Sequence, residues 1–435
     1  MSTTHTATIE IEAASAPTPP PARALVPLRR NWRFQTLWVG SASALTGVMA
    51  TDVAYPLVIL ALTGSAGLAG LFGLIQAGGV VVFGLPAGQL VDRCDRRRVM
   101  IVGESVRVAA TASVAVAFAL HALTLTQLLV VGALVGAAQP FVGSARMLTV
   151  RRVVAPEQLT AALTQDELRA GVADLAGPPL GGLLYGLSRA LPFLFSTIGF
   201  TVSLLAAIIV RPEADPTPTP ASAPSSAPAG RAAVRDGGMF AGIRALWADP
   251  ALRATLTLLF FLNFAGAPLT LAAVYRLTHQ STPTWGIGLA LAGSAVGGLA
   301  GAALVRTLHR RFRPGTLLLA VTGTVAPLVI ALGLVTGPLL VGLILFGVML
   351  GIPAVSIMLD VLILRQVPDE VRGRTLASMM TVLGLGIPVG MGTMGLLLQY
   401  LGGTEALLAL GGVLACAVAW ATTQRGLRAA RWPEA

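Results

Sequence analysis

Residues 66–98 read AGLAGLFGLIQAGGVVVFGLPAGQLVDRCDRRR. The stretch opens with a long apolar run that carries no charge, and it closes on Arg93, Arg96, Arg97 and Arg98. About 20 apolar residues are enough for a helix to cross the hydrocarbon core of a bilayer. An arginine cluster directly after such a run is typical of a cytoplasmic loop. The stretch therefore predicts one membrane span followed by a short basic loop.

The same pattern recurs along the chain and predicts an all-α membrane protein with twelve transmembrane helices in two six-helix bundles. A mean hydropathy of +0.78 and a charged fraction of 11% fit this class, since soluble domains carry about 25% charged residues. The predicted spans are 34–62, 67–91, 99–120, 124–148, 170–188, 191–210, 252–275, 285–306, 315–336, 338–364, 375–400 and 403–423.

The arginines test this count independently. With the N-terminus inside, alternate loops collect almost every arginine, whereas the opposite loops hold essentially Arg189 and Arg276. An error of one span would destroy this alternation. The positive-inside rule therefore predicts that both termini are cytoplasmic.

Composition also excludes several functions. All 30 basic residues are arginine, so the chain has neither the lysine of a phosphate-binding P-loop nor one for Schiff-base catalysis. The net charge of +11 is explained by loop arginines that set topology, and no nucleic-acid partner is expected. The histidines and the two cysteines, Cys94 and Cys416, have no metal-ligand spacing. No catalytic residues, metal or cofactor are predicted, and the chain is not expected to be an enzyme.

A Pro-, Ala- and Ser-rich segment at 217–230 divides the chain in two. The predicted organisation is a disordered cytoplasmic tail at 1–33, six spans at 34–210, a cytoplasmic linker with an amphipathic helix at 211–250, six spans at 251–424 and a tail at 425–435. The halves look like a repeat, because Gly84, Gly88, Arg93 and Arg97 recur in the same spacing as Gly297, Gly301, Arg306 and Arg310. Two parallel repeats of six spans predict two bundles around a central cavity.

The loop after span two resembles the G-x-x-x-D-R-x-x-R-R signature of the major facilitator superfamily, with matches at Gly88, Asp92, Arg93, Arg96 and Arg97. The resemblance implies that Gly88 allows close helix approach. It also implies that Asp92 contacts the start of span eleven and latches the bundles in the outward-facing state. Val305 replaces this acid in the second half, so only the first half would supply the latch.

Span five contains Gly177, Pro178, Gly181 and Gly182, which resemble the G-P-x-x-G-G core of the family's antiporter motif. That motif marks exporters within the family, although a small-residue packing face is the alternative. The loops at 91–100 and 367–374 are similar to those of bacterial macrolide-efflux and siderophore-efflux proteins. The resemblance implies a drug:proton antiporter.

Asp52 is the deepest acid in the sequence, and Pro56 follows it within span one. Charges inside a membrane are costly and usually functional. We interpret Asp52 as a proton-coupling acid that also lines the substrate cavity. The alternatives are a structural acid bonded to neighbouring helices and a cavity-lining residue without proton coupling.

Other polar groups are weaker candidates. Asp174 is a second proton-coupling candidate, although a salt bridge with Arg169 or a helix-end contact is the commoner explanation for an acid at such a position. Arg146 is expected in the cytoplasmic gate, and Gln76, Gln139 and Asn263 are candidate cavity residues or interhelical hydrogen-bond partners.

These features predict a monomeric secondary transporter in a bacterial plasma membrane that exports a small amphipathic compound by proton antiport. A proton-coupled importer or uniporter of the same fold, and a non-transporting receptor, are the alternatives.

Overall fold

The computed structural model describes residues 27–211, 250–358 and 369–424, and these residues form helices without any strand. In the first half the helices are α1 (Trp32–Thr63), α2 (Ala66–Arg93), α3 (Arg96–Ala119), α4 (Leu125–Val153), α5 (Leu159–Leu187) and α6 (Leu191–Ile209). In the second half they are α7 (Pro250–Gly266), α8 (Leu269–His279), α9 (Thr284–Arg311), α10 (Pro314–Leu334), α11 (Pro338–Leu350), α12 (Asp369–Tyr400) and α13 (Gly403–Thr423). The predicted linker with its amphipathic helix lies outside the described residues.

Polar side chains fix several helix starts. Ser65, Asp95 and Thr124 accept hydrogen bonds from backbone amides in the first turns of α2, α3 and α4. A helix start leaves amides without intrahelical partners, so these caps stabilise short connections. Between α1 and α2 the chain turns at Gly64, whose φ of 68° suits glycine.

Two predicted spans are interrupted. Span seven is divided into α7 and α8 at Pro268, which has no amide hydrogen to continue the helix. Span ten breaks at Gly351, after which residues 352–358 are helical again. Such breaks survive at membrane depth only where neighbouring helices surround them.

Helix α5 starts earlier than predicted, at Leu159 rather than at residue 170. Eleven spans among the described residues are long and apolar enough to cross a membrane by themselves, and α5 is not one of them. Its prolines, glycines and charged first half lower its hydropathy. Because α5 packs against α1 and α9 like the other spans, it completes the twelve predicted.

Helix packing confirms the predicted repeat. In the first half α1 packs against α5 and α6, α2 against α4, and α3 against α4 and α6. In the second half α7 packs against α12 and α13, α9 against α11, and α10 against α11 and α13. These are the same five pairs displaced by six spans. The halves meet through α2 with α12 and through α5 with α9.

Among the described residues, the apolar core joins the halves at one end of the molecule. We call the end that carries the arginine loops the basic end, and the opposite end the far end. The largest buried cluster contains residues of both halves, and its first-half members, such as Tyr55, Phe72 and Phe193, all lie toward the far end. At the basic end, buried first-half residues such as Phe34, Val91 and Met100 cluster only with their own half among the described residues. The halves are therefore packed together at the far end.

Candidate functional site: a cleft closed at the far end

Close backbone contacts seal the far end. Gly70 on α2 lies against Gly395 on α12, and a Cβ atom on either residue would overlap the other backbone. Gly182 on α5 lies against the Thr284 carbonyl at the start of α9, and Gly288 lies against the Pro178 carbonyl. Glycine permits this approach because it has no side chain.

A polar contact reinforces the seal. The Ser65 hydroxyl donates a hydrogen bond of 2.8 Å to Oε1 of Gln399, and the Gly67 amide donates to the same oxygen at 3.2 Å. Ser65 and Gly67 begin α2, whereas Gln399 is near the end of α12. One side chain therefore ties the two halves together across the far end.

Along α2, the contacts with α12 that the described residues show stop before the basic end. A Cβ atom at Gly384 on α12 would still lie 3.4 Å from Val81, but Gly84 and Gly88 have no described atom within 4 Å of their Cβ positions. The close approach expected at Gly88 is therefore not seen among the described residues. Among the described residues, the last glycine contact between α2 and α12 on the way to the basic end is the one at Val81.

Asp52 lies on α1 directly before a continuously buried stretch of that helix. It is partly exposed, whereas every residue from Val53 to Leu60 is buried. Those buried residues continue α1 toward the closed far end. The carboxyl group of Asp52 is thus the last acidic group on α1 before the far end.

Three predicted site residues from three helices lie near one another. Gln76 on α2 and Asp174 on α5 both lie close enough to Asp52 to act on its carboxyl group. The alternative explanation for Asp174 does not hold among the described ion pairs, because Arg169 instead contacts Asp166 at 3.5 Å. Asp52 and Asp174 place two acids in a largely apolar bundle.

The predicted antiporter motif is the surface that holds α5 against α1. Gly177 lies against Met49, and Gly181 lies against the Ala50 backbone. Both contacts are therefore within one helical turn before Asp52. The same segment contacts α9 through Pro178 and Gly182. The motif therefore joins the acid-bearing helix to the opposite half.

The two other predicted cavity residues lie elsewhere. Gln139 is exposed on α4, one turn after Gly136, which packs on the Gln76 backbone. Asn263 lies against Gly386 of α12 in the second half. The structure places both residues at membrane depth but groups neither with Asp52 through a described contact.

The signature loop has a structural role at the basic end. Arg97 donates hydrogen bonds to the carbonyls of Ala207 (3.2 Å) and Ile208 at the end of α6, and a cation there offsets the helix dipole. Asp92 and Arg93 are exposed, and with Arg96 they line a cleft between this loop and the end of α4.

An ion-pair network that the sequence analysis missed lies behind the loop. Asp166 contacts Arg146 on α4 at 3.4 Å and Arg169 at 3.5 Å. Hydropathy predicts that span four ends at residue 148 and that span five begins at residue 170, which puts Asp166 in a loop. Its i,i+3 spacing from Arg169 is the signal that could have placed it on a helix.

A second charged pair is buried within the first half. Glu104 on α3 contacts Arg107 at 3.4 Å and accepts a 2.6 Å hydrogen bond from Ser203 on α6. The Arg107 guanidinium stacks 4.0 Å from the centre of the Phe200 ring. The Glu104–Arg107 pair therefore belongs to the packing of the first half.

Two repeated helical bundles, sealed at one end around acids at membrane depth, define the class of secondary transporters that work by alternating access. The family profile described as Major Facilitator Superfamily matches residues 37–361. The chain belongs to the Major Facilitator Superfamily.

Solved structures share this fold at low sequence identity. A bacterial homologue of the human lysosomal transporter Spinster, inward-facing and unoccupied, superposes with a TM-score of 0.72 at 15% identity, covering 93% of this chain and 99% of that one. A bacterial homologue of the iron transporter ferroportin, also inward-facing, gives 0.68 at 16%, covering 90% and 99%. A POT family transporter in complex with a thioalcohol-conjugated peptide gives 0.67 at 12%, covering 90% and 95%. No curated protein sequence matches the chain.

Proposed function

We propose that this transporter exports a small amphipathic compound, such as an antibiotic or secondary metabolite, in exchange for protons. In this proposal the basic end faces the cytoplasm of a bacterium, both termini are cytoplasmic and the protein acts as a monomer. The structure then corresponds to an inward-facing state. The supporting observation for orientation is the concentration of arginines at one end.

The position of Asp52 is the single observation that carries proton coupling. A carboxyl group at the floor of the opening would exchange protons with the cytoplasm in this state. The buried run behind it blocks exchange with the far side until the bundles rock. Gln76 and Asp174 are the groups that would sense its change of charge.

Export is supported by the small-residue motif on α5 and by the resemblance of its loops to efflux proteins. An apolar bundle suits an amphipathic substrate, because transfer from lipid to cavity costs such a molecule little. Proton-driven import or uniport by the same fold is the main alternative. A receptor without transport is the other.

The test is accumulation of a panel of antibiotics and dyes in a bacterial strain that lacks its own pumps. Export predicts that the protein lowers accumulation and that a protonophore raises it again to the level of cells without the protein. Everted vesicles then fix the direction, since an exporter loads them and an importer does not. An unchanged panel with protein present in the membrane, and no flux in vesicles, would support the receptor.

A further inference from the structure

An apolar groove runs along the outer surface of the first half, between α2, α3 and α4. Its volume is about 590 Å³, and among its twelve lining residues only Cys94, Asp95 and Arg98 are polar. The apolar wall includes Leu90, Val102 and Leu134, all of them exposed large side chains. The groove therefore opens toward the hydrocarbon of the bilayer.

The part of α3 that lines this groove is charged at the basic end and apolar over the rest of its length. Arg98, Val102 and Val106 line it at i, i+4 and i+8, so they share one face of the helix. The Arg98 side chain is 86% exposed and lies 3.9 Å from Asp95. An occupant of this groove would have an apolar body and a polar group at the basic end.

A strongly basic cleft adjoins the top of the groove. The cleft, of about 490 Å³, is lined by five arginines and two aspartates: Arg93, Arg96, Arg97, Arg152, Arg211, Asp92 and Asp95. Cleft and groove share Cys94 and Asp95, so the two are neighbours on the loop after α2.

Arginines outnumber acids in the described lining of the cleft. Asp95 is engaged by the amide of Arg97 at the start of α3, and Arg97 itself binds the end of α6. Two carboxylates face five guanidinium groups, and Arg98 adds another at the rim. Guanidinium groups bind phosphate well because their fork matches two oxygens.

We propose that groove and cleft together bind an anionic phospholipid, with one acyl chain along α3 and its phosphate among the loop arginines. Positive charge at a helix end beside an apolar surface recognises such head groups. The site lies outside the opening that holds Asp52, so lipid binding and substrate transport use separate surfaces. The lipid would hold the loop that bears Asp92 at the membrane surface.

The two native cysteines provide an internal comparison. Cys94 lies where groove and cleft meet, whereas Cys416 is exposed on α13 in the other half. The rate of labelling by a neutral maleimide is measured for purified protein with phosphatidylglycerol or with phosphatidylcholine. Phosphatidylglycerol should slow Cys94 labelling at least threefold and leave Cys416 unchanged. Equal protection by phosphatidylcholine would overturn the proposal.

Matched variants separate the phosphate from the acyl chain. Arg98→Gln should raise the phosphatidylglycerol concentration that gives half-maximal protection about fivefold. This is the change in affinity expected from one basic residue near a membrane surface. Arg311→Gln is the control, because Arg311 is the exposed repeat counterpart of Arg98. Val102→Trp fills the groove without changing the charge. It should abolish the protection, because it leaves no room for the acyl chain.

Glycerol phosphate carries the head-group chemistry without an acyl chain and should not protect Cys94. Protection by glycerol phosphate equal to that by the lipid would show a soluble phosphate site and refute lipid binding. Equal effects of Arg98→Gln and Arg311→Gln would show that general surface charge explains the protection. That result would refute a specific lipid site.

Discussion

Asp52 combines a charge-bearing side chain with a position at the boundary between an open and a sealed region. Asp52→Asn keeps the size of the side chain and a hydrogen-bond acceptor for Gln76 but removes proton exchange. We expect at least a tenfold loss of efflux driven by a pH gradient in proteoliposomes, with substrate exchange at equal pH retained.

Asp95→Asn is the matched control for this substitution. It also changes a carboxyl group to an amide, but outside the spans, and asparagine still caps α3. Full gradient-driven efflux in Asp52→Asn would remove Asp52 from proton coupling. Efflux lost equally in both variants would show a general effect.

The Glu104–Arg107 pair leads to a prediction about stability. Removing one partner of a buried ion pair leaves an uncompensated charge and costs about 3–5 kcal/mol. Arg107→Met should therefore lower the unfolding temperature in detergent. The double variant with Glu104→Gln should recover most of the loss, because the remaining amide is neutral and can still accept from Ser203. A double variant as unstable as the single one would contradict this account.

Individual residues were predictable where the bilayer makes charge costly. Asp52 and Gln76 stood out because they interrupt apolar spans, and the structure brings them together. Asp166 did not stand out, because its helix begins in a polar stretch that hydropathy assigns to a loop. Contacts across helices, such as Ser65 with Gln399, join residues too far apart in sequence for spacing to reveal them.

At the scale of elements, the contact of α2 with α12 depends on the absence of a side chain. A valine at Gly70 would overlap the Gly395 backbone and prevent closure of the far end. Gly70→Val should shift the population toward the state with an open far end. The measurement is increased labelling of a Leu398→Cys variant that also lacks both native cysteines, because Leu398 is buried near the far end of α12.

Gly84→Val is the control on the same helix. No described atom lies within 4 Å of its Cβ position, so labelling at the far end should stay at the level of the parent protein. Unchanged labelling in Gly70→Val would mean that the far end still closes, with the added side chain accommodated by small shifts of neighbouring residues, and would contradict the prediction. Increased labelling in Gly84→Val would mean that α2 substitutions act through the helix itself.

Element boundaries were predicted unevenly for physical reasons. Apolar length set α2, α3 and α6 within a few residues, because their ends coincide with charges or caps. Periodicity could not show the breaks at Pro268 and Gly351, since the hydropathy of span seven and span ten continues through them. Whether a proline ends or merely bends a helix depends on its neighbours, and Pro56 remains inside a continuous α1.

At the scale of the whole molecule, the alternation of arginines and the repeat of the signature glycines were sufficient to predict two six-span halves. The conformational state was not predictable from these patterns. Two states of a transporter differ by only a few kcal/mol, which is the sum of many small contacts. The separation of the halves at Gly84 and Gly88 therefore had to come from the structure.

The latch role that the resemblance assigns to Asp92 makes a prediction about this equilibrium. Asp92 is exposed here, as expected of a latch released when the basic end is open. Asp92→Asn removes an interaction of about 1 kcal/mol with a helix start in the opposite state and should reduce that state about fivefold.

Spin labels can report both ends of the molecule in a background without Cys94 and Cys416. Leu187 and Leu339, exposed in opposite halves at the far end, form one pair, and Arg98 and Arg311 form the other at the basic end. The parent protein should show two distance populations for each pair. Asp92→Asn should deplete the longer far-end distance and the shorter basic-end distance together, because one rocking motion couples them. Asp95→Asn should leave both distributions unchanged, and a matching change there would show that loop charge alone, rather than the latch, sets the equilibrium.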